Sequence, residues 1–172
     1  MQNSAFVTPY NGHRPHIAPS AFVDISARLI GRVTVGETAS IWPGAVLRAD
    51  DEEIIIGENS AVLDLCLLES PHDYKVIVEP GAIVSHHVCL HGATVKTGAL
   101  VGIGAIVLDG AVVEEGALVG AGAVVPPKMI VPAGMLVLGQ PAKPIREIRQ
   151  AEKENMAAQL ADLQQKALKY KT

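Results

Sequence analysis

From Ile17 onward an aliphatic residue returns at every sixth position, and this period constrains the fold more than any other feature of the chain. The series runs Ile17, Val23, Leu29, Val35, Ile41, Leu47, then after three extra residues Ile56, Val62, Leu68, and after four more Val78, Val84, Leu90. One residue is then missing, and the phase continues through Val95, Val101, Val107, Val113, Val119, Val125, Val131 and Val137. Neither a helix, with about 3.6 residues per turn, nor a lone alternating strand produces such a period. The position four after the head is usually small, as at Ala21, Ala45, Ala82, Ala105 and Ala123. One large and one small inward residue per six predicts short parallel strands joined by tight turns, where glycines such as Gly98, Gly102, Gly104, Gly110, Gly116, Gly120 and Gly122 tolerate the backbone required. Three hexads close one triangular coil, so twenty hexads make between six and seven coils. An aromatic content of only 3% fits a narrow core of small aliphatic side chains.

The reading is an all-β parallel helix over residues 17–142, preceded by a lead-in over 1–16 and followed by a linker and helix over 143–172. From about Ile145 the apolar residues Ile145, Ile148, Met156, Leu160, Leu163 and Leu168 recur at three- and four-residue steps, which predicts a helix lying along the coil or against a neighbour. The extra residues near Asp51 to Glu53 and between Ser70 and Lys75 are expected as loops leaving the scaffold. A net charge of -4 argues against nucleic acid and anionic membrane as partners. No apolar run approaches the roughly 18 residues of a membrane span, and Met1 to Tyr10 lacks the pattern of a signal peptide. Cys66 and Cys89 lie in apolar segments without redox or zinc-knuckle spacing, as buried thiols in a reducing compartment would. The expected location is the cytoplasm.

Assigned to three faces in rotation, the hexads bring distant polar residues together. The heads Leu47, Leu68 and Leu90 share a face in successive coils about 4.8 Å apart, so Arg48, Glu69 and His91 form one ladder. On the adjacent face the heads Ile41, Val62 and Val84 carry a second ladder, Pro43, Asp64 and His86. Two imidazoles stacked above two carboxylates and a guanidinium make a candidate metal site. His86 and His91 lie on different faces, so a cyclic homotrimer packed through its flat apolar sides would let them meet on one ion, with Arg48 facing Asp64 as an ion pair. His87 points away and is assigned to the surface, and His13 and His16 precede the repeat in structural roles.

Val84-Ser85-His86-His87-Val88-Cys89-Leu90-His91-Gly92 resembles the second metal-binding motif of the γ-class carbonic anhydrases and their relatives, a left-handed β-helix family. Ile41-Trp42-Pro43, Arg48-Ala49-Asp50 where the family has Arg-Gly-Asp, Val101-Gly102-Ile103-Gly104-Ala105, Leu108-Asp109-Gly110-Ala111 and Leu138-Gly139-Gln140-Pro141-Ala142-Lys143 agree, and the likeness covers roughly residues 10 to 150. It implies the left hand, a homotrimer, one divalent metal per subunit interface (zinc first, iron or cobalt as alternatives), and hydration of carbon dioxide to bicarbonate. His86 and His91 are the implied ligands, Arg48 and Asp64 the interface pair, and Asp50 an orienting residue. Two positions depart from the pattern: the family's first His ligand is Glu69, and the Gln that would hydrogen-bond metal-bound solvent is Leu63. Glu69 as third ligand, His72 swinging in from the 70–75 loop, and a degenerate site on a non-catalytic trimeric scaffold all remain open. Because the same repeat also builds acyltransferases that use a His as general base, that activity stands as the alternative.

Overall fold

A computed structural model describes residues 6–171; the first five residues of the lead-in and Thr172 lie outside it. The chain winds into a left-handed parallel solenoid of about seven turns with one C-terminal helix. Most strands are two or three residues long and pair in parallel with the strand one coil away, as Val84 does with Val62 below and Val101 above. One face is an eight-stranded sheet; the other two are joined into a twelve-stranded sheet by the long strand Val46–Ile56, which pairs with Leu67–Glu69 on one face and Val76–Val78 on the next.

The six-residue period is a core-filling rule. From Leu29 to Val137 the heads of the hexads are almost completely buried, and with Ala45, Ala82, Ala105 and the equivalent small residues they fill the interior. The corners need a positive φ. Gly44, Gly104 and Gly122 meet that need on one corner, but Leu65 (φ 59°) and His87 (φ 58°) occupy the same turn place in two successive coils. An L-residue held in this region costs about 1–2 kcal/mol, so two coils carry strain immediately after Asp64 and His86.

Two details differ from the reading of the sequence. Asp51 to Glu53 do not leave as a loop: the chain stays extended through Val46–Ile56 and carries the strand around the corner, bulging only against the neighbouring strand Arg28–Val35. Ser70 secures this path, since its hydroxyl donates to Glu52 O at 2.7 Å and its amide to Arg48 O at 3.3 Å. The change of pattern at Ile145 also precedes the helix. Lys143–Glu147 first pairs antiparallel with Met135–Leu138, and only Gln150–Tyr170 is helical.

That helix spans 21 residues, about 31 Å, nearly the height of the stack at about 4.8 Å per coil. Entered just after Ile148, whose amide donates to Gly134 O, it runs back along the eight-stranded face to Tyr170, whose ring packs on Phe22 and Trp42 with both centroids 5.6 Å away. Met156, Leu163 and Ala167 are buried in an apolar layer that also contains Trp42, Leu63 and Ile83. No helix among the described residues is long and apolar enough to cross a membrane.

Candidate functional site

The register of the sheets builds the ladders from backbone pairing alone. Arg48 pairs with Glu69 and Glu69 with His91 on one face. On the adjacent face the Val62 and Val84 strands are in register, and the amide of His87 donates to Asp64 O at 2.9 Å, setting His86 directly over Asp64.

Within one chain the two ladders form separate groups. On the first, the Arg48 guanidinium bridges two carboxylates, donating to Asp50 Oδ2 at 2.7 Å and pairing with Glu69 Oε1. The hydrogen bond to Asp50, followed by that to Glu69, raises the Arg48 pKa further above its already high value. Asp50 Oδ1 is buried and has no hydrogen-bond partner, which for a carboxylate oxygen is an unmet demand for a donor or cation. His91 Nε2 lies 3.9 Å from Glu69 Oε1, beyond hydrogen-bond reach, and its other nitrogen, Nδ1, contacts Asp109 Oδ1. On the second ladder, His86 Nδ1 is 3.0 Å from Asp64 Oδ2.

His72 sits at the tip of the 70–75 loop with its side chain 84% exposed, its ionic contact being Asp73 at 3.7 Å. The structure therefore does not bring it to His91. Tyr74 pins the same loop: its Cβ stands 2.5 Å from where a Cβ on Gly92 would be, and its ring 2.8 Å from the corresponding point on Gly110. His87, His13 and His16 are exposed. Leu63 is 1% exposed in the layer it shares with the helix, so its side chain is enclosed by its own chain.

Asp109 is the residue that sequence reasoning missed. It was visible only as part of the Leu108-Asp109-Gly110-Ala111 motif, and its relation to His91 depends on the missing residue at Gly92. Of the cysteines, Cys66 is inert: burial pushes its thiol up to about 12, and it donates to Ser85 O at 2.8 Å. Cys89 is half-buried on the outer face beside Leu67 and Ile106, its pKa raised by burial and then by the Glu69 charge.

Among the described residues of one chain no three His, Cys, Asp or Glu side chains converge on a common point. The donor chemistry nevertheless fits a divalent ion. Both imidazoles have Nδ1 on a carboxylate, which leaves Nε2 as the donor nitrogen and matches the carboxylate–histidine pairs that support metal ligands. Two donors on one tetrahedral zinc with bonds of about 2.0–2.1 Å stand about 3.3 Å apart, so the 3.9 Å between His91 Nε2 and Glu69 Oε1 is close to a ligand-pair spacing.

No family model matches the chain. It is 42% identical over 142 residues to a carbonic anhydrase of Geobacillus kaustophilus, covering 83% of this chain and 78% of that one. It is 48% identical over 166 residues, 96% of each chain, to the uncharacterized transferase YtoA of Bacillus subtilis. Among solved structures, a Bacillus cereus protein named as a presumed acetyltransferase superposes with a TM-score of 0.96 at 39% identity, covering 97% of both chains.

Proposed function

The chain belongs to the γ-carbonic anhydrase-like family of hexapeptide-repeat proteins, and from that premise we propose that it is a cytoplasmic homotrimer that hydrates carbon dioxide slowly at a divalent metal held between subunits. The observation that carries the reading is the paired support of the two imidazoles, Asp64 on His86 Nδ1 and Asp109 on His91 Nδ1. His86 from one subunit and His91 with Glu69 from its neighbour would hold zinc, with iron or cobalt accepted by the same donors. Such an ion, when bound, lowers the pKa of a coordinated water and makes it a nucleophile for carbon dioxide.

The chain's own residues set how well this works. Glu69 brings a negative charge where the family has a neutral imidazole, which disfavours loss of a proton from nearby water and predicts low turnover. Arg48 offsets part of that charge and leaves a half-exposed guanidinium beside the site, able to orient an anion such as bicarbonate. Asp50 anchors Arg48 and directs an unpartnered oxygen inward. Leu63, enclosed beneath the helix, offers no hydrogen bond to solvent. In a trimer the half-exposed Leu67 and Ile106 and the half-buried Cys89, stacked in successive coils, supply the apolar face that a neighbour covers.

Two competing readings remain testable. The B. subtilis and B. cereus relatives carry transferase names, which favours an acyltransferase with His86 or His91 as general base; the Glu69 and Leu63 departures favour a non-catalytic trimeric scaffold. Purified protein loaded separately with zinc, iron(II) or cobalt(II) should bind one ion per subunit, lose it on His86→Ala and His91→Ala, and hydrate carbon dioxide in a stopped-flow assay. Sub-stoichiometric metal that is unchanged by His86→Ala would overturn the proposal. Full loading without hydration would leave the scaffold, and turnover of acetyl-CoA with an amine or hydroxyl acceptor would establish the transferase.

A further inference from the structure

We infer that Asp109 is a positioning residue for His91: its carboxylate fixes the tautomer and tilt of the imidazole, so that Nε2 is the nitrogen offered to a divalent cation. The contact stands independently of function, whereas its consequence rests on the metal reading above.

An ionised carboxylate has no proton to give, so in a neutral imidazole facing it Nδ1 must be the donor and Nε2 the lone pair. That lone pair is 3.9 Å from Glu69 Oε1, with no proton between two electron-rich atoms. A cation between them would meet the lone pair and share the oxygen that Arg48 already faces. The other tautomer would place a proton on Nε2 and block it.

The backbone explains why Asp109 can reach. The coil headed by Leu90 is one residue short, and Gly92, at φ 58°, takes two turn places at once: its amide donates to Glu69 O at 2.9 Å and its carbonyl accepts from Gly110 N at 2.8 Å. In the next coil both Leu108 and Asp109 precede Gly110, where only His91 precedes Gly92 below. The extra corner residue therefore overhangs a place the coil beneath leaves open, and its carboxylate meets His91, 18 positions earlier. The corner is rigid, because Asp109 O accepts from Lys128 N at 2.8 Å and Tyr74 packs against Gly110. An incidental surface ion pair would need no such deletion.

The test uses the full-length chain with 15N-labelled histidine, His91 being assigned by its loss in His91→Gln. At about pH 9, above the ordinary imidazole range, long-range proton–nitrogen spectra of the metal-free protein report the tautomer. The wild type should show Nδ1–H, Asp109→Asn should retain it because an amide oxygen still accepts, and Asp109→Ala should shift toward Nε2–H. In competition with a chromophoric chelator, zinc affinity should fall about 10–100-fold in Asp109→Ala, less in Asp109→Asn, with stoichiometry unchanged. Nε2–H in the wild type, or the same tautomer in Asp109→Ala, would overturn the assignment, as would a zinc affinity within about threefold of wild type. Should Asp109→Ala fail to fold, Asp109→Leu, which also lacks an acceptor, takes its place. Wild-type protein that binds no zinc would sink the metal reading while the tautomer spectra still decide the role of Asp109.

Discussion

Glu69 separates the competing accounts of the site, because each assigns it a different partner. In Glu69→Gln the shape is kept and the charge lost. Arg48, with its side chain 41% exposed, keeps Asp50 at 2.7 Å and loses one of two ionic contacts. A pair this solvated contributes roughly 0.2–1 kcal/mol, and for a domain of this size 1 kcal/mol moves the melting temperature about 2–4 °C. Thermal unfolding should therefore change by no more than about 4 °C. If Glu69 is the third ligand, metal affinity should fall by more than the 10–100-fold typical of losing a supporting contact, because the donor itself has gone. Glu69→His should keep the metal and raise carbon dioxide hydration, since a neutral ligand leaves coordinated water more acidic. Chelator competition, stopped-flow hydration and a thermal melt on the same preparations measure all three quantities. A Glu69→Gln protein that binds metal as wild type does, whatever its melting temperature, would refute the ligand role and leave Glu69 as a counter-ion of Arg48.

Other expectations follow from packing and charge. Gly92→Ala and Gly98→Ala share a positive φ (58° and 63°), but a Cβ at Gly92 would lie 2.5 Å from Tyr74 whereas at Gly98 it meets nothing within 4 Å. Gly98→Ala should cost about 1 kcal/mol and Gly92→Ala about 2–4 kcal/mol, and in denaturant titrations Tyr74→Ala should narrow the difference. At the start of the helix, Glu152 pairs bidentately with Arg146 and also accepts from Arg149 N, and the first contact, followed by the second, holds its pKa down at about 2. Its stabilising effect is present above the unfolded carboxylate value of about 4.3 and is lost as pH falls from there through about 2, so the melting curves of wild type and Glu152→Gln should differ at pH 7 and converge in strong acid. Leu67→Glu, on the exposed apolar ladder, should leave the solenoid folded by circular dichroism yet abolish assembly in light scattering, and with it metal binding.

The solenoid was legible because its core repeats: each inward position is filled by Val, Ile, Leu or a small residue, and the period carries strand, turn and register together. The same register placed Arg48, Glu69 and His91 in one ladder and Asp64 under His86, and both are observed. What escaped depended on departures from the period. The extra residues at Asp51 to Glu53 looked like a loop, but backbone pairing with Ser70 on one side and the Arg28–Val35 strand on the other keeps them extended. Pro144 and its neighbours add an antiparallel strand before the helix, a local pairing with no periodic signal. Asp109 was hidden for the opposite reason, because a one-residue deletion elsewhere, at Gly92, turns a corner residue toward the coil below.

The charges around the site bear on the choice between a cation and a coenzyme. Asp50, Asp64, Glu69 and Asp109 set four carboxylates on the two ladders and their adjoining corner, against one guanidinium, Arg48. Cyclic assembly through adjacent faces would deliver one copy of each to every interface, so the balance is unchanged by whose subunit supplies which group. A divalent cation lowers the energy of that arrangement and supplies what Asp50 Oδ1 and the two oriented imidazoles lack. The phosphates of an acyl-coenzyme would be repelled by the same field. If the chain is a transferase after all, the phosphates of its coenzyme must lie away from these ladders, and even at low ionic strength, where the field is least screened, its affinity for coenzyme should be insensitive to Asp109→Asn and Asp64→Asn.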